Sequence, residues 1–274
     1  SMPGKPLLGR FRSPQSALQL SKFADGWNSQ AAGFLLPLAH KDFYYQNYTF
    51  KTTATITGEL TAANGGGASV SDWQADGTVE NGTLKATTGT GTRTTSIAQI
   101  KQNSLTYDAA RNPGSEICWK VAAVTDLAVE FEFLGVEVGT QALHNQSALS
   151  AAGVPTIVSN TSTDQFGIAL NITAGTLHTT ALISKGTTDA AAGALLGTDV
   201  PTLAVYTTWR IQGSANKVYG IIDNNSQKEA GLNLGPDTAV LMRPSFLISN
   251  DGAGGSKAAA MKYWRVWCEW TSSP

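Results

Sequence analysis

The sequence predicts an all-β chain, a two-sheet antiparallel β-sandwich with an irregular N-terminal arm, and three observations carry that prediction. Only 14% of residues are charged and 28 are Gly, and no long run of helix formers repeats every 3.6 residues. Short alternating apolar runs, roughly twelve of them, recur between Gly, Asn and Asp turn signals at sandwich-like intervals. Two aromatic alternating runs, Phe43 to Phe50 and Met261 to Trp270, bracket the compact part and suit a closing pair of strands.

A chain of 274 residues can bury one large core, so one domain is expected at residues 42–274 behind an arm at 1–41. Pro3, Pro6, Pro14 and Pro37, with Gly4, Gly9, Gly26 and Gly33, interrupt regular structure in the arm. Only residues 13–23 suit a helix, capped by Ser13 with Pro14 in its first position. Phe11, Leu18, Phe23, Trp27, Phe34 and Leu36 are too many apolar residues for a solvated linker. The arm is therefore expected to pack on its own body or on a neighbouring subunit. It is also basic: Lys5, Arg10, Arg12, Lys22 and Lys41 against Asp25 give +4, leaving −5 for the rest of a chain whose net charge is −1.

Residues 58–71, with Asn64-Gly65-Gly66-Gly67, read as a loop. Residues 73–87 read as strand, turn, strand, with turn signals at Asp76-Gly77 and Asn81-Gly82, and residues 94–101 continue the meander. The strongest pair is 116–124 and 127–138. In the second of these, Leu127, Val129, Phe131 and Phe133 face the core, and Glu130 and Glu132 point the other way. Residues 139–163 form a long polar loop with a helical turn near 148–152, and 186–201 a Gly- and Ala-rich surface excursion. Strands are expected at 165–172, 176–183, 203–212, 217–223 and 240–248. The last strand places Trp264, Val266, Cys268 and Trp270 on one face and Tyr263, Arg265, Trp267 and Glu269 on the other. Cys118 and Cys268 are too few for a disulfide framework and read as buried thiols, with a bridge between them left open.

In the second half, Trp209-Arg210-Ile211, then Lys217-Val218-Tyr219-Gly220-Ile221-Ile222-Asp223-Asn224, then Pro244-Ser245-Phe246-Leu247-Ile248-Ser249-Asn250, then Tyr263-Trp264-Arg265-Val266-Trp267 follow one another. This order resembles concanavalin A-like, laminin G-like jelly-roll domains, over about 65 residues. Asn224 and Asn225 stand where the family has Gly after the Asp, a change that a tight hairpin accepts. The resemblance implies the jelly roll. Versions with long Thr-, Ala- and Gly-rich loops and little charge resemble those carried by tailed-phage virion proteins.

Glycoside hydrolases of this fold carry three acids along one strand. Here Glu130 and Glu132 supply two, Leu134 stands at the third place, and Glu137 has the opposite parity unless a bulge at Gly135 resets it. His40, His144 and His178 are dispersed, with no second metal ligand at a useful spacing. Asp223, Asn224, Asn225 and Asp251 are oxygen donors in loops, better read as turn residues than as calcium ligands. The Gly65-Gly66-Gly67 cluster lacks the Lys and Ser or Thr of a phosphate loop, and no Ser elbow or Cys/His pair is present. Trp73, Trp119 and Trp209 would stack on sugar rings if exposed.

These readings converge on a non-enzymatic phage structural protein, a capsid decoration or fibre component. It would have no catalytic, cofactor or metal site, and its partners would be its own copies and the major capsid or other virion proteins. The alternative is a carbohydrate-binding module or glycoside hydrolase touching cell-surface glycan. No nucleic-acid or membrane partner is expected from the near-neutral charge and the lack of a spanning apolar run. The location would be a virion assembled in host cytoplasm.

Overall fold

The computed structural model describes residues 43–50, 59–64, 71–76, 82–91, 95–137, 147–149, 157–159, 162–172, 179–187, 192–197, 201–214, 216–223, 227–237, 240–250 and 255–269. In chain order the strands are β1 (Phe43–Thr49), β2 (Leu60–Asn64), β3 (Ser71–Asp76), β4 (Thr83–Thr87), β5 (Ile97–Gln102), β6 (Tyr107–Asp108), β7 (Gly114–Val121), β8 (Leu127–Leu134) and β9 (Ser147–Leu149). They continue as β10 (Ile157–Ser159), β11 (Gln165–Ile172), β12 (Thr179–Lys185), β13 (Ala192–Gly197), β14 (Thr207–Ser214), β15 (Lys217–Asp223), β16 (Gln227–Leu232), β17 (Leu241–Asn250) and β18 (Ala258–Glu269). The one helical element among the described residues is a 3-10 turn at Ala109–Arg111, capped by the Asp108 side chain.

Two antiparallel sheets form a sandwich. The first runs β16-β15-β14-β7-β18-β4-β3 with β1 beside β18, and the second runs β13-β12-β11-β8-β17-β5-β2 with β6 beside β17. The two aromatic strands pair as the sequence predicts: Phe43 stands opposite Glu269 and Tyr48 opposite Trp264. Alternation explains which faces meet. Trp264, Val266 and Cys268 of β18 and Leu127, Val129, Phe131 and Phe133 of β8 all enter the shared core.

At its centre Phe246 of β17 lies 5.4 Å from Trp73, 5.4 Å from Trp119 and 6.4 Å from Phe131, ring centre to ring centre. Trp119 meets Trp209 edge-on at 4.9 Å. Such pairs add about 0.5–1.5 kcal/mol each beyond the area they bury. This is where the three tryptophans expected at sugars are found: Trp73, Trp119 and Trp209 have no exposed surface. Their rings fill the gap between the sheets, so they offer no stacking face and that expectation is corrected.

Three local expectations also change. Residues 60–64 and 192–197 are edge strands, not loops, because Gly- and Ala-rich segments that pair on one side only need little apolar patterning; residues 227–232 form a further edge strand. Residues 147–149 pair with 157–159 as a small hairpin where a helical turn is expected. The thiols of Cys118 and Cys268 are free and buried, as the sequence predicts, and the bridge left open is not formed. Cys118 stands opposite Tyr263, five residues along β18 from Cys268, which is about 16 Å of extended chain and far beyond disulfide reach.

Candidate functional site

The second sheet has a second face, turned away from the core, and it is unusual. On β8 it carries Ala128, Glu130, Glu132 and Leu134, every one buried. Register lays out its rows. Lys101, Ser245, Glu132, Gly167 and Ile183 cross the sheet side by side, and the next row is Gln99, Leu247, Glu130, Ala169 and Ala181. The row on the other side of Glu132 holds Arg243, Leu134, Gln165 and Lys185. An outward-facing Glu on an antiparallel strand is ordinarily solvated, but Glu132 is 0% exposed and Glu130 3%.

Gly167 makes room for this arrangement. A Cβ there would stand 2.4 Å from Glu132 Cβ and 2.3 Å from the Phe131 carbonyl oxygen, so β8 and β11 approach closely where Glu132 sits. Gln99 donates from Nε2 to Ser245 Oγ at 2.8 Å and so fixes the neighbouring side of the face.

Burial, then the charge of Glu130 and a side-chain hydrogen bond with it, push the Glu132 carboxyl well above its ordinary value of 4.5. Burial and the neighbouring Glu130 thus both favour the protonated form of Glu132. Two carboxyls two residues apart on one strand lie about 6.6 Å apart at their backbones, within side-chain reach of one another.

Glu137 joins the same face by a different route. Beyond Leu134 the chain stays tied to the segment before β11: the Gly135 N–H donates to the Asp164 carbonyl at 2.8 Å, and Glu137 bridges to Ser162. A bend at Val136 then brings the Glu137 carboxylate to Lys101 Nζ at 2.7 Å and into an ion pair with Arg243. Both cations belong to the outer-face rows, so a third acid reaches this side of the sheet despite its parity. Asp164 holds the corner, accepting from the Thr187 N–H at 3.1 Å and the Asp237 N–H at 2.9 Å. Burial, with the adjacent Arg243 charge, lowers the Lys101 ammonium to about 8.

The first sheet carries a second buried acid, Glu116, but two arginines engage it: Arg210 Nε at 2.5 Å and Arg265 Nη1 at 2.8 Å. Both its oxygens are paired, which marks a structural ion network. Among the described residues no group of three His, Cys, Asp or Glu is placed to hold a metal ion. Phe11, Leu18, Phe23, Trp27, Phe34 and Leu36 of the arm lie outside the described residues, as do His40, His144, His178, Asn224, Asn225 and Asp251.

No family model matches the chain, and no curated protein matches it in sequence. The fold, in contrast, is shared with solved structures. Peanut lectin with a 9mer peptide superposes with a TM-score of 0.52 at 8% identity, covering 84% of this chain and 100% of that one. The Emp47p carbohydrate recognition domain gives 0.52 at 12%, covering 81% and 94%. A Bacillus licheniformis beta-glucanase gives 0.52 at 11%, covering 80% and 97%. The sandwich is the concanavalin A-like jelly roll. The expectation of a non-enzymatic chain is overturned, since an enzyme is among the proteins that share this fold; a pair of buried glutamates is also built into the second sheet of this chain. A virion setting finds no support in these likenesses.

Proposed function

We propose that this chain cleaves glycosidic bonds, with Glu132 as general acid and Glu130 as the ionised partner. The observation that carries the reading is the pair of adjacent buried glutamates on the outer face of β8, with the Glu132 carboxyl raised by burial and by Glu130. Glycoside cleavage needs one carboxyl protonated to hand its proton to the leaving oxygen and another ionised to meet the positive charge at the sugar carbon. Retention uses carboxyls about 5–5.5 Å apart and inversion about 6.5–9.5 Å; two long side chains about 6.6 Å apart at their backbones can close to the shorter spacing, and the retaining course is the one proposed. The reaction then runs through a covalent glycosyl ester on Glu130. Water displaces that ester with Glu132 now acting as base. Both carboxyls are closed to solvent, so the face must open to admit a sugar chain. Further support comes from a lectin, a carbohydrate recognition domain and a beta-glucanase built on the same sandwich.

The test is reducing-end release from a panel of soluble polysaccharides that begins with mixed-linkage β-glucan. Glu130→Gln and Glu132→Gln should each lower kcat by about 10²–10⁴-fold with unchanged circular dichroism. Hydrolysis unaltered in both variants, or absent from the wild type across the panel, would sink the proposal. A virion setting, with the arm of residues 1–41 holding the chain to its own copies or to capsid proteins, is a separate sequence-based proposal. Light scattering of the full chain and of a chain starting at residue 42 tests it. An equal oligomeric state in the two would count against the arm as an assembly device.

A further inference from the structure

A buried amide beside the acid pair makes no hydrogen bond within the fold. Gln165 opens β11 on the same outer face, in the row next to Glu132, and is fully buried. Neither its Nε2 nor its Oε1 has a hydrogen-bond partner. In the same row Arg243 pairs with Glu137 and donates from Nη1 to the Asn103 carbonyl at 3.2 Å, yet its buried Nε is also unpartnered. Leaving a buried amide unpaired is costly, because both its donor and its acceptor have given up water. Such atoms beside a pair of acids suit a ligand that brings its own polar groups. A sugar ring offers the complement, since each hydroxyl both donates and accepts.

The geometry places these orphaned groups on one side of the acids. Gln165 and Glu132 are diagonal neighbours across the β8–β11 ladder, within reach for long side chains. Gly167 stands between Gln165 and Ala169 on this face without a side chain, and Glu132 crowds over it, toward β11. A sugar ring placed with its glycosidic oxygen at Glu132 would thus put its hydroxyls over the row of Gln165 and Arg243.

We infer that Gln165 binds and positions the substrate, its amide taking one hydroxyl as donor and another as acceptor in the sugar on the Glu132 side of the scissile bond, with Arg243 Nε as a second donor to that sugar. This inference rests on the glycosidase reading and assigns the polar recognition beside its acid.

The experiment is Gln165→Met, which keeps the length and bulk of the side chain and removes the amide. It is assayed on mixed-linkage β-glucan, or on whichever polysaccharide of the panel the wild type cleaves, beside Glu132→Gln. The expected result is a rise in KM of about tenfold, the equivalent of one lost hydrogen bond, with kcat changed far less. Without substrate the same variant should melt higher than wild type by about 2–4 °C, because an unpaired buried amide has been removed. A lower melting temperature would show that the amide serves the fold, and an unchanged KM would show that it does not meet substrate; either overturns the inference. If Glu132→Gln abolishes cleavage and Gln165→Met does not alter KM, this inference falls alone. Full activity in Glu132→Gln takes both readings down.

Discussion

Gly167→Ala tests the site's geometry without touching an ionisable group. The added methyl would sit 2.3 Å from the Phe131 carbonyl oxygen, 2.4 Å from Glu132 Cβ and 2.5 Å from Glu132 Cα. Ordinary contact is about 3.4–4 Å, so something must yield by more than an ångström. Neither strand can yield easily: β11 is held between β12 and β8, and β8 between β11 and β17. Overpacking costs about 1–3 kcal/mol, and with backbone atoms among the obstacles the upper end applies. Replacing Gly also stiffens the unfolded chain, which returns about 0.4–1 kcal/mol. The net loss is about 2 kcal/mol, or roughly 4–8 °C in melting temperature for a domain of this size. Gly231→Ala on β16 is the control, because its methyl would press only on the Tyr219 ring, at 3.1 Å, with the Val218 carbonyl oxygen at an ordinary 3.7 Å, and its cost should be under about 1 kcal/mol. Differential scanning calorimetry on the three proteins decides the matter. Gly167→Ala melting within about 2 °C of wild type would refute the close approach of β8 and β11 and, with it, the placement of Glu132.

Two more outcomes follow from the titrating groups. Because the folded Glu132 carboxyl is raised above 4.5, the folded chain keeps a proton that the unfolded chain releases. That stabilisation is complete below 4.5 and is lost as pH rises toward the folded value. Urea midpoints from about pH 4 to about pH 8 should therefore decline more for wild type than for Glu132→Gln, which cannot ionise; parallel curves would contradict the assignment. Burial pushes the Cys118 thiol up to about 11 and Cys268 up to about 12. Neither should react with an aromatic disulfide reagent at neutral pH in the folded state, and both should react after unfolding. A fast native thiol would place one of them at the surface.

The sandwich was legible in the sequence because its central strands are long and patterned. Leu127, Val129, Phe131 and Phe133 alternate without a break and all reach the core. The aromatic run at residues 43–50 closes on β18 because both carry an alternation that only a partner strand satisfies. The edges were not legible. β13 reads Ala-Gly-Ala-Leu-Leu-Gly and β16 reads Gln-Lys-Glu-Ala-Gly-Leu, and strands at or next to an edge are held by ladder hydrogen bonds that leave little mark on composition. Trp73, Trp119 and Trp209 left a second reading open: a sandwich more often places such residues in its core, where all three are found around Phe246, and exposure alone would have made them a sugar platform.

The site itself was half visible. Alternation places Glu130 and Glu132 together on the face opposite the core, which is where they stand. It cannot say whether that face meets water. A solvated pair of glutamates is a routine feature of an exposed sheet, whereas burial of the same pair disfavours the charged form and raises the Glu132 carboxyl. Glu137 arrives by a bend, through Lys101 and Arg243, three residues past the end of the strand that parity describes. Gln165 left no sequence signal at all, since a glutamine at the start of a strand is ordinary. It becomes informative only when both its amide atoms prove buried and unpartnered beside a pair of buried acids. A sheet face made of costly groups that could be replaced by apolar ones with no loss to the fold is more readily explained by chemistry performed there than by stability.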